Sequence, residues 1–485
     1  MSATYITFAL YFVALLALGV IAWKRTSNLS DYILGGRSLG SGVSALSASA
    51  SDMSGWLLLG LPGALYMSGL GEAWIGIGLL IGTWANWQLV ARRLRVATAG
   101  LDDALTLPDY FQRRFSDRSM VLRVLPALLI FFFFSIYLSS GLVAGGLLFE
   151  TVFGLPYIWA VGFGLGAIIL YTFLGGFLAV SWTDALQGIL MVLALIAVPL
   201  LVMGHGDTGL FEAVREKNPD MLNLFTDANG DALGLLAIAS LMAWGLGYFG
   251  QPHVLARFMG IRSPDHVPVA RRIAVSWVAI CLLGAVLVGL GGIGTLPEPL
   301  TSDTSETVFI RLVELLFHPV IAGILLAAIL AAIMSTADSQ LLVASSAVAE
   351  DFYKGLLRPQ ASQGELIWIG RGSVVAIALV AFVIALDPNA KVLDLVSYAW
   401  AGLGASFGPV ILLSLYWSKM TRWGAVAGML TGGLTVYFWK AAEGGLFDLY
   451  ELLPAFILAG LVAWLVSLAT QSDQEQQAFS RMLQE

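Results

Sequence analysis

Apolar runs of spanning length, separated by short polar stretches, recur along almost the whole chain. They lie at roughly 3–23, 42–70, 73–91, 120–148, 156–180, 185–203, 232–252, 273–295, 319–347, 368–386, 396–417, 424–440 and 452–470. A helix takes ~20 apolar residues to cross the hydrocarbon core of a bilayer. The pattern therefore predicts an all-α polytopic membrane protein with about 13 transmembrane helices and its termini on opposite sides. The first run has no basic residue before it and is followed by Lys24 and Arg25, so it reads as a retained helix rather than a cleaved signal. The longest loops run about 28 residues and about 15 follow the last run, so 1–485 reads as one membrane domain ending in a short tail at 471–485.

Basic residues set the orientation. With the N-terminus outside, one side receives Lys24, Arg25 and Arg37, the arginines between 92 and 123, then Arg257, Arg262, Arg271, Arg272, Lys354, Arg358, Arg371, Lys419, Arg422 and Arg481. That side holds 20 of the 25 Lys and Arg residues, which leaves Arg215, Lys217, Arg311, Lys391 and Lys440 opposite. A missed helix would mix the two sets downstream, so the split supports the helix count as well as a cytoplasmic C-terminus. The acidic loops at 204–231 and 296–307 fall on the outer side. The expected location is a membrane crossed many times.

Two runs are interrupted. The second contains Ser-Ala-Ser-Asp-Met-Ser-Gly-Trp around Asp52, and the seventh contains Gly245, Gly247, Gly250 and Pro252. Ser, Gly and Pro loosen a helical ladder by competing for its backbone bonds or removing them. Broken backbone at membrane depth survives only where protein or a water-filled cavity covers it. Breaks at matching places in two halves of a chain point to a transporter's binding site. Helices 2 and 7 are five apart and so cross in opposite directions, which allows 42–203 and 232–417 to be inverted repeats of five helices each. Helix 1 at 3–23 and helices 12 and 13 at 424–470 would then be peripheral. Gly245 and Gly247 read equally well as close-packing positions. Gly-Leu-Gly-Tyr-Phe-Gly at 245–250 fits a dinucleotide fingerprint by spacing only, because no strand precedes it.

Composition agrees with a membrane protein: 58% of residues are hydrophobic and 12% charged, against ~25% charged in soluble domains, and mean hydropathy is +0.84. Cys281 is the single cysteine, and His205, His253, His266 and His318 are scattered, so no metal-ligand spacing exists. No Ser/His set falls in adjacent spans either; the chain reads as no enzyme and needs no cofactor. The charge of Asp52 costs at least ~2.5 kcal/mol inside a bilayer and needs a compensating group. An opened helix offers carbonyl oxygens, and Ala332, Ser335, Thr336 and Ser339 fall on one face of helix 9. Together they would make an oxygen cage suited to an alkali cation. Asp184, at the inner end of the fifth run or the start of the sixth, reads as a helix N-terminal carboxylate.

At these residues the chain resembles the sodium:solute symporter family, and its proline-transporting branch in particular. The matching stretches are GGRSLG (35–40), SASDMSGWLLLGLPGA (49–64), TLPDYF (106–111), YTFLGGFLAVSWTDALQ (171–187), WGLGYFGQPHVLARFM (244–259), ILAAIMSTADSQLLVASSAVAEDFY (329–353), VSYAWAGLGASFGPV (396–410) and KMTRWGAVAGMLTGG (419–433). The resemblance implies a leucine-transporter-like fold and sodium-coupled uptake of L-proline, with the bilayer of a bacterial-type inner membrane as surroundings and neither nucleic acid nor an obligatory protein partner. It implies a sodium site formed by the carbonyls of Ala50, Met53 and Ala332 and the hydroxyls of Ser335 and Thr336. It ties Asp52 and Arg37 to sodium coupling, and allows a second cation site among Asp184, Asp338 and Ser339, with Ser335, where two close carboxylates would favour a cation or share a proton. It places substrate at Ser54, Gly55, Tyr137, Trp244, Tyr248 and Pro252. The same machine carrying pantothenate, another amino acid or a sugar is the nearest alternative, and a transporter-like membrane sensor is a more distant one.

Overall fold

The computed structural model describes residues 5–11, 13–14, 17, 33–174, 176–205 and 209–482. Most of the expected first span at 3–23, with Lys24 and Arg25, lies outside the described residues; those described between 5 and 17 are helical. Among the described residues eight helices are long and apolar enough to cross a membrane, and no sheet is formed beyond two isolated bridges.

Beyond the residues described between 5 and 17 and a short 3-10 turn at Gly35–Arg37, α1 (Ser41–Asp52) leads after a gap through the wide turns of Trp56–Gly60 into α2 (Leu61–Ser68), and the chain reverses at Gly69. Next come α3 (Ala73–Asn86), continued by Trp87–Ala91 into α4 (Arg92–Gly100), and the short α5 (Leu107–Arg114). Long helices follow: α6 (Val121–Phe153), α7 (Tyr157–Leu174) and α8 (Phe177–Met203). After α9 (Leu210–Lys217), α10 (Leu235–Met242) runs into a tight 3-10 segment, Ala243–Gly250, and then α11 (Pro252–Gly260). The remainder is α12 (Val267–Thr295), α13 (Val308–Leu316), α14 (Pro319–Ser346) prolonged by Ala347–Leu357, α15 (Gln363–Ile384), α16 (Val392–Tyr416), α17 (Arg422–Ala441), α18 (Leu452–Ala469) and α19 (Asp473–Met482).

Caps account for several boundaries. Thr106 accepts from the Asp109 amide at 3.1 Å, Ser362 from Glu365 at 3.2 Å and Thr421 from Gly424 at 3.2 Å, each satisfying an orphan N–H of a first turn. At α16 the cap comes from elsewhere: Glu306 takes the amides of Val392 and Leu393 at 2.9 and 3.0 Å. In the middle, α8 and α14 pack together against α1, while α16 packs on the 3-10 segment, α6, α17 and α18.

Several expected boundaries move. The fifth and sixth runs divide at Gly176, the cap of α8, rather than at 180–185, because the polar cluster Ser181–Asp184 lies inside a helix instead of ending one. The seventh run does not stop at 252: Pro252 is the first residue of α11, and the segment extends to Gly260. Proline suits a first helical turn because its missing N–H would be unused there. The third, fourth and ninth runs extend as helix to Gly100, Phe153 and Leu357. The tail expected at 471–485 carries a helix.

Candidate functional site

Both expected interruptions are real. At the first, Met53 leaves helical geometry (φ −84°, ψ 81°) while its N–H still reaches the Ser49 carbonyl. At the second, Gln251 is extended (φ −85°, ψ 105°) after eight residues of tight 3-10 turn. Pro252 forces this, since it offers no N–H to the preceding turn and disfavours helical geometry before it. The Gln251 side chain fills part of the gap, donating to the carbonyls of Gly247 at 3.1 Å and Trp400 at 3.2 Å. The glycines make room: a Cβ on Gly247 would overlap the Trp400 indole nitrogen, and one on Gly55 would lie 2.8 Å from Ala144 Cβ. Close packing is thus what Gly245 and Gly247 supply, against Gly78, Gly82 and Trp400.

Asp52 is fully buried and joins the two breaks. Tyr248 donates to its Oδ2 at 2.5 Å, and its backbone carbonyl accepts from Tyr137 at 3.1 Å and from the Trp56 indole at 3.3 Å. Its Oδ1 has no partner. Around this point stand aromatic rings. Trp244 lies 6.3 Å from Trp56 and stacks on Tyr450 at 5.0 Å; Tyr248 meets Trp400 edge-on at 5.1 Å. Ser54 is buried in the gap, and Pro252 lines a small cavity with Leu34, Leu105, Ile130, Ala256 and Met259 on the arginine-rich side of the break.

The helix 9 face falls where the hydroxyl stripe predicts. Ser335 donates to the Ala50 carbonyl at 2.8 Å and shares the Ala332 carbonyl at 3.1 Å. Thr336 is buried beside it with its hydroxyl unpartnered. Carbonyls of α1 and hydroxyls of α14 therefore meet at the first break.

A second polar cluster lies nearby, and sequence reasoning misplaces its key member. Arg257, counted among loop residues by charge asymmetry, is fully buried in α11. Its guanidinium donates to Asp184 Oδ2 at 3.1 Å, to Ser47 at 3.0 Å, to the His253 carbonyl at 3.0 Å and to Ser339. Ser47 and Ser339 in turn donate to Asp184 at 2.7 and 3.2 Å. Asp184 is thus no N-terminal helix residue; it sits in the third turn of α8. Around Asp184 and Ser339, two residues of the expected second cation site, the positive charge the structure shows is the Arg257 guanidinium. Asp338 is also fully buried, and neither of its oxygens has a partner of normal geometry. In HVLARFM the arginine is flanked by apolar residues on both sides, but that pattern alone does not separate a buried arginine from one at the membrane surface.

Arg37 stands apart from this centre. It donates to Asp103 at 2.6 Å, the Met259 carbonyl at 2.7 Å, the Ala104 carbonyl at 2.9 Å and Thr98 at 3.1 Å. Alongside, Leu39 and Ile261 form a parallel bridge. The segment before α1 is thereby tied to the end of α11.

Discontinuous helices crossing around a buried carboxylate define a membrane transporter. The sodium:solute symporter family model matches residues 32–432, and the chain belongs to that family. It is 54% identical over 468 residues to the sodium/proline symporter of Escherichia coli (strain K12), covering 94% of this chain and 91% of that protein. It is 50% identical over 467 residues to the high-affinity proline transporter PutP of Bacillus subtilis (strain 168), covering 95% and 97%. Its fold matches a Na+-coupled sialic acid symporter in a substrate-bound outward-open state, with a TM-score of 0.80 at 18% identity, covering 96% of this chain and 98% of that one. It also matches MhsT in complex with L-phenylalanine, with a TM-score of 0.55 at 14% identity, covering 88% and 98%.

Proposed function

We propose that this protein couples inward sodium flux to uptake of L-proline by alternating access. Relatives that cover nearly the whole chain at 50–54% identity are sodium/proline symporters and a proline transporter. The observation that carries the reading is the contact of Ser335 with the Ala50 carbonyl at the opened helix. It brings two hydroxyls beside backbone oxygens released from helical bonding, the hard donor set an alkali cation takes. We assign sodium to the carbonyls of Ala50, Met53 and Ala332 and the hydroxyls of Ser335 and Thr336. Asp52 supplies negative field beside it and, through Tyr248, communicates with the second break.

Substrate is assigned to Ser54, Gly55, Tyr137, Trp244, Tyr248 and Pro252. Aromatic faces suit the secondary ammonium, and N–H groups freed at the breaks suit the carboxylate. Sodium binding favours one arrangement of the opened helix, and proline then binds that arrangement more tightly. The membrane potential contributes ~2.3 kcal/mol per charge per 100 mV to inward movement. Arg37 acts at the cytoplasmic end, where it holds α11. While the Arg257 guanidinium occupies Asp184, we assign no mobile cation there. No covalent chemistry is required.

In this reading the chain has thirteen spans. Helices 2–6 and 7–11 form inverted five-helix repeats of leucine-transporter type, each opening with a broken helix. The arginine-rich end faces the cytoplasm of a bacterial-type inner membrane. The test is uptake of radiolabelled proline into proteoliposomes, with and without an inward sodium gradient, for wild type and Asp52→Asn. Accumulation that requires the gradient and collapses in the variant is expected. Uptake indifferent to sodium would overturn the proposal.

A further inference from the structure

The second break leaves one backbone acceptor stranded, and a residue from another helix serves it. In continuous helix the Tyr248 carbonyl would accept from the N–H of residue 252, but residue 252 is proline and has none. Asn86 supplies the missing donor: its side-chain Nδ2 lies 2.9 Å from that carbonyl. Asn86 is buried at the end of α3, and its approach is prepared by the two glycines before it on the same face. Gly78, Gly82 and Asn86 are spaced at i, i+4 and i+8. A Cβ on Gly78 would overlap the Met242 carbonyl, and one on Gly82 the Gly245 carbonyl. The 3-10 segment therefore lies backbone to backbone on α3, with Asn86 as the last contact, at Tyr248 itself. The same residue's phenol donates to Asp52 at 2.5 Å.

We infer that Asn86, which lies outside every position assigned to sodium or substrate, is a positioning residue that holds the unwound Tyr248 backbone so that its phenol reaches Asp52. The inference rests on the proposed role of Asp52 in sodium coupling, with the substrate residue Tyr248 as its link to the second break. Losing the Asn86 donor frees the carbonyl to seek another partner, and the ring moves with its backbone. The effect belongs to the sodium dependence of transport rather than to its maximal rate.

The test is a double-mutant cycle in proteoliposomes, reading the sodium concentration that half-saturates proline uptake for Asn86→Leu, Tyr248→Phe and the pair. Asn86→Leu keeps the volume and removes the donor. Each single change is expected to raise the half-saturating sodium about tenfold, with a smaller change in maximal rate. The pair is expected to be no worse than Tyr248→Phe, because both changes break one linkage. Should Asn86→Leu not reach the membrane, Asn86→Ala removes the donor with a smaller uncharged side chain and carries the same expectation. Wild-type sodium dependence in a folded Asn86 variant, or losses that multiply in the pair, would overturn the inference. Wild-type sodium dependence in Tyr248→Phe alone would instead overturn the coupling assignment beneath it.

Discussion

The Tyr248 phenol lies 2.5 Å from Asp52 Oδ2, so a hydrogen bond between side chains buried at the two breaks ties one interrupted helix to the other. Asp52 is a buried carboxylate with one oxygen unpartnered, and Tyr248 sits in backbone that proline prevents from closing. A change at one break is therefore felt at the other without any intervening chain, a direct physical route for coupling an ion to a solute.

Tyr248→Phe and Tyr137→Phe separate this link from its neighbour. Tyr137 donates to the neutral carbonyl of Asp52 at 3.1 Å, whereas Tyr248 donates to its carboxylate. A bond to a charged group contributes about 1.5–3 kcal/mol and one between neutral groups about 0.5–1.5 kcal/mol. Proline uptake measured against sodium concentration is expected to weaken more in Tyr248→Phe than in Tyr137→Phe. The reverse order would place the charge-bearing contact elsewhere.

Arg257 and Asp184 form an ion pair from which water is fully excluded. Breaking such a pair from one side costs about 3–5 kcal/mol, while replacing both charges is far milder. Arg257→Met is expected to lower both the yield of folded protein and its unfolding temperature in detergent. Arg257→Met with Asp184→Asn is expected to recover much of that loss. Thermal unfolding of the purified variants decides, and a double variant as unstable as the single would count against a simple charge pair.

The breaks were legible because a charge, serines, glycines and a proline interrupt otherwise apolar runs. The hydroxyl stripe was legible because Ala332, Ser335, Thr336 and Ser339 repeat with helical spacing. Arg257 was not, since one arginine near the end of an apolar run looks the same whether it meets solvent or turns inward. What distinguishes it is Asp184, 73 residues earlier in sequence and brought to 3.1 Å only by folding. Pro252 misled in the same way: a proline ends one helix and begins another with equal ease. Asn86 was invisible because its partner is a backbone carbonyl, which leaves no mark on side-chain pattern.

Gly247 predicts a sharp steric limit. Its missing Cβ is the space taken by the Trp400 indole, whose N–H donates to the Trp244 carbonyl at 2.8 Å. Gly247→Ala must displace that ring or the 3-10 segment, and uptake is expected to fall about fivefold or more, since overpacking costs about 1–3 kcal/mol. Gly166→Ala, where nothing lies within 4 Å of the added carbon, is expected to transport as wild type. Parallel uptake assays at matched protein levels make the comparison.

Ser335 and Thr336 are neighbours on one helix face, yet the structure predicts different consequences for losing them. The Ser335 hydroxyl has a partner within the protein, joining α14 to the Ala50 carbonyl at 2.8 Å. The Thr336 hydroxyl is buried with no protein partner, and an unsatisfied buried polar group costs about 1–3 kcal/mol, which a coordinated cation would relieve. Ser335→Ala is therefore expected to raise the half-saturating sodium and also to lower thermal stability in sodium-free buffer. Thr336→Val replaces the hydroxyl with a methyl of similar shape. It is expected to raise the half-saturating sodium while leaving sodium-free stability unchanged or higher, and to lose most of the stabilisation that added sodium gives the wild type. Melting curves with and without sodium separate the two patterns. A Thr336→Val protein that sodium still stabilises as strongly as wild type would remove Thr336 from the ion's coordination.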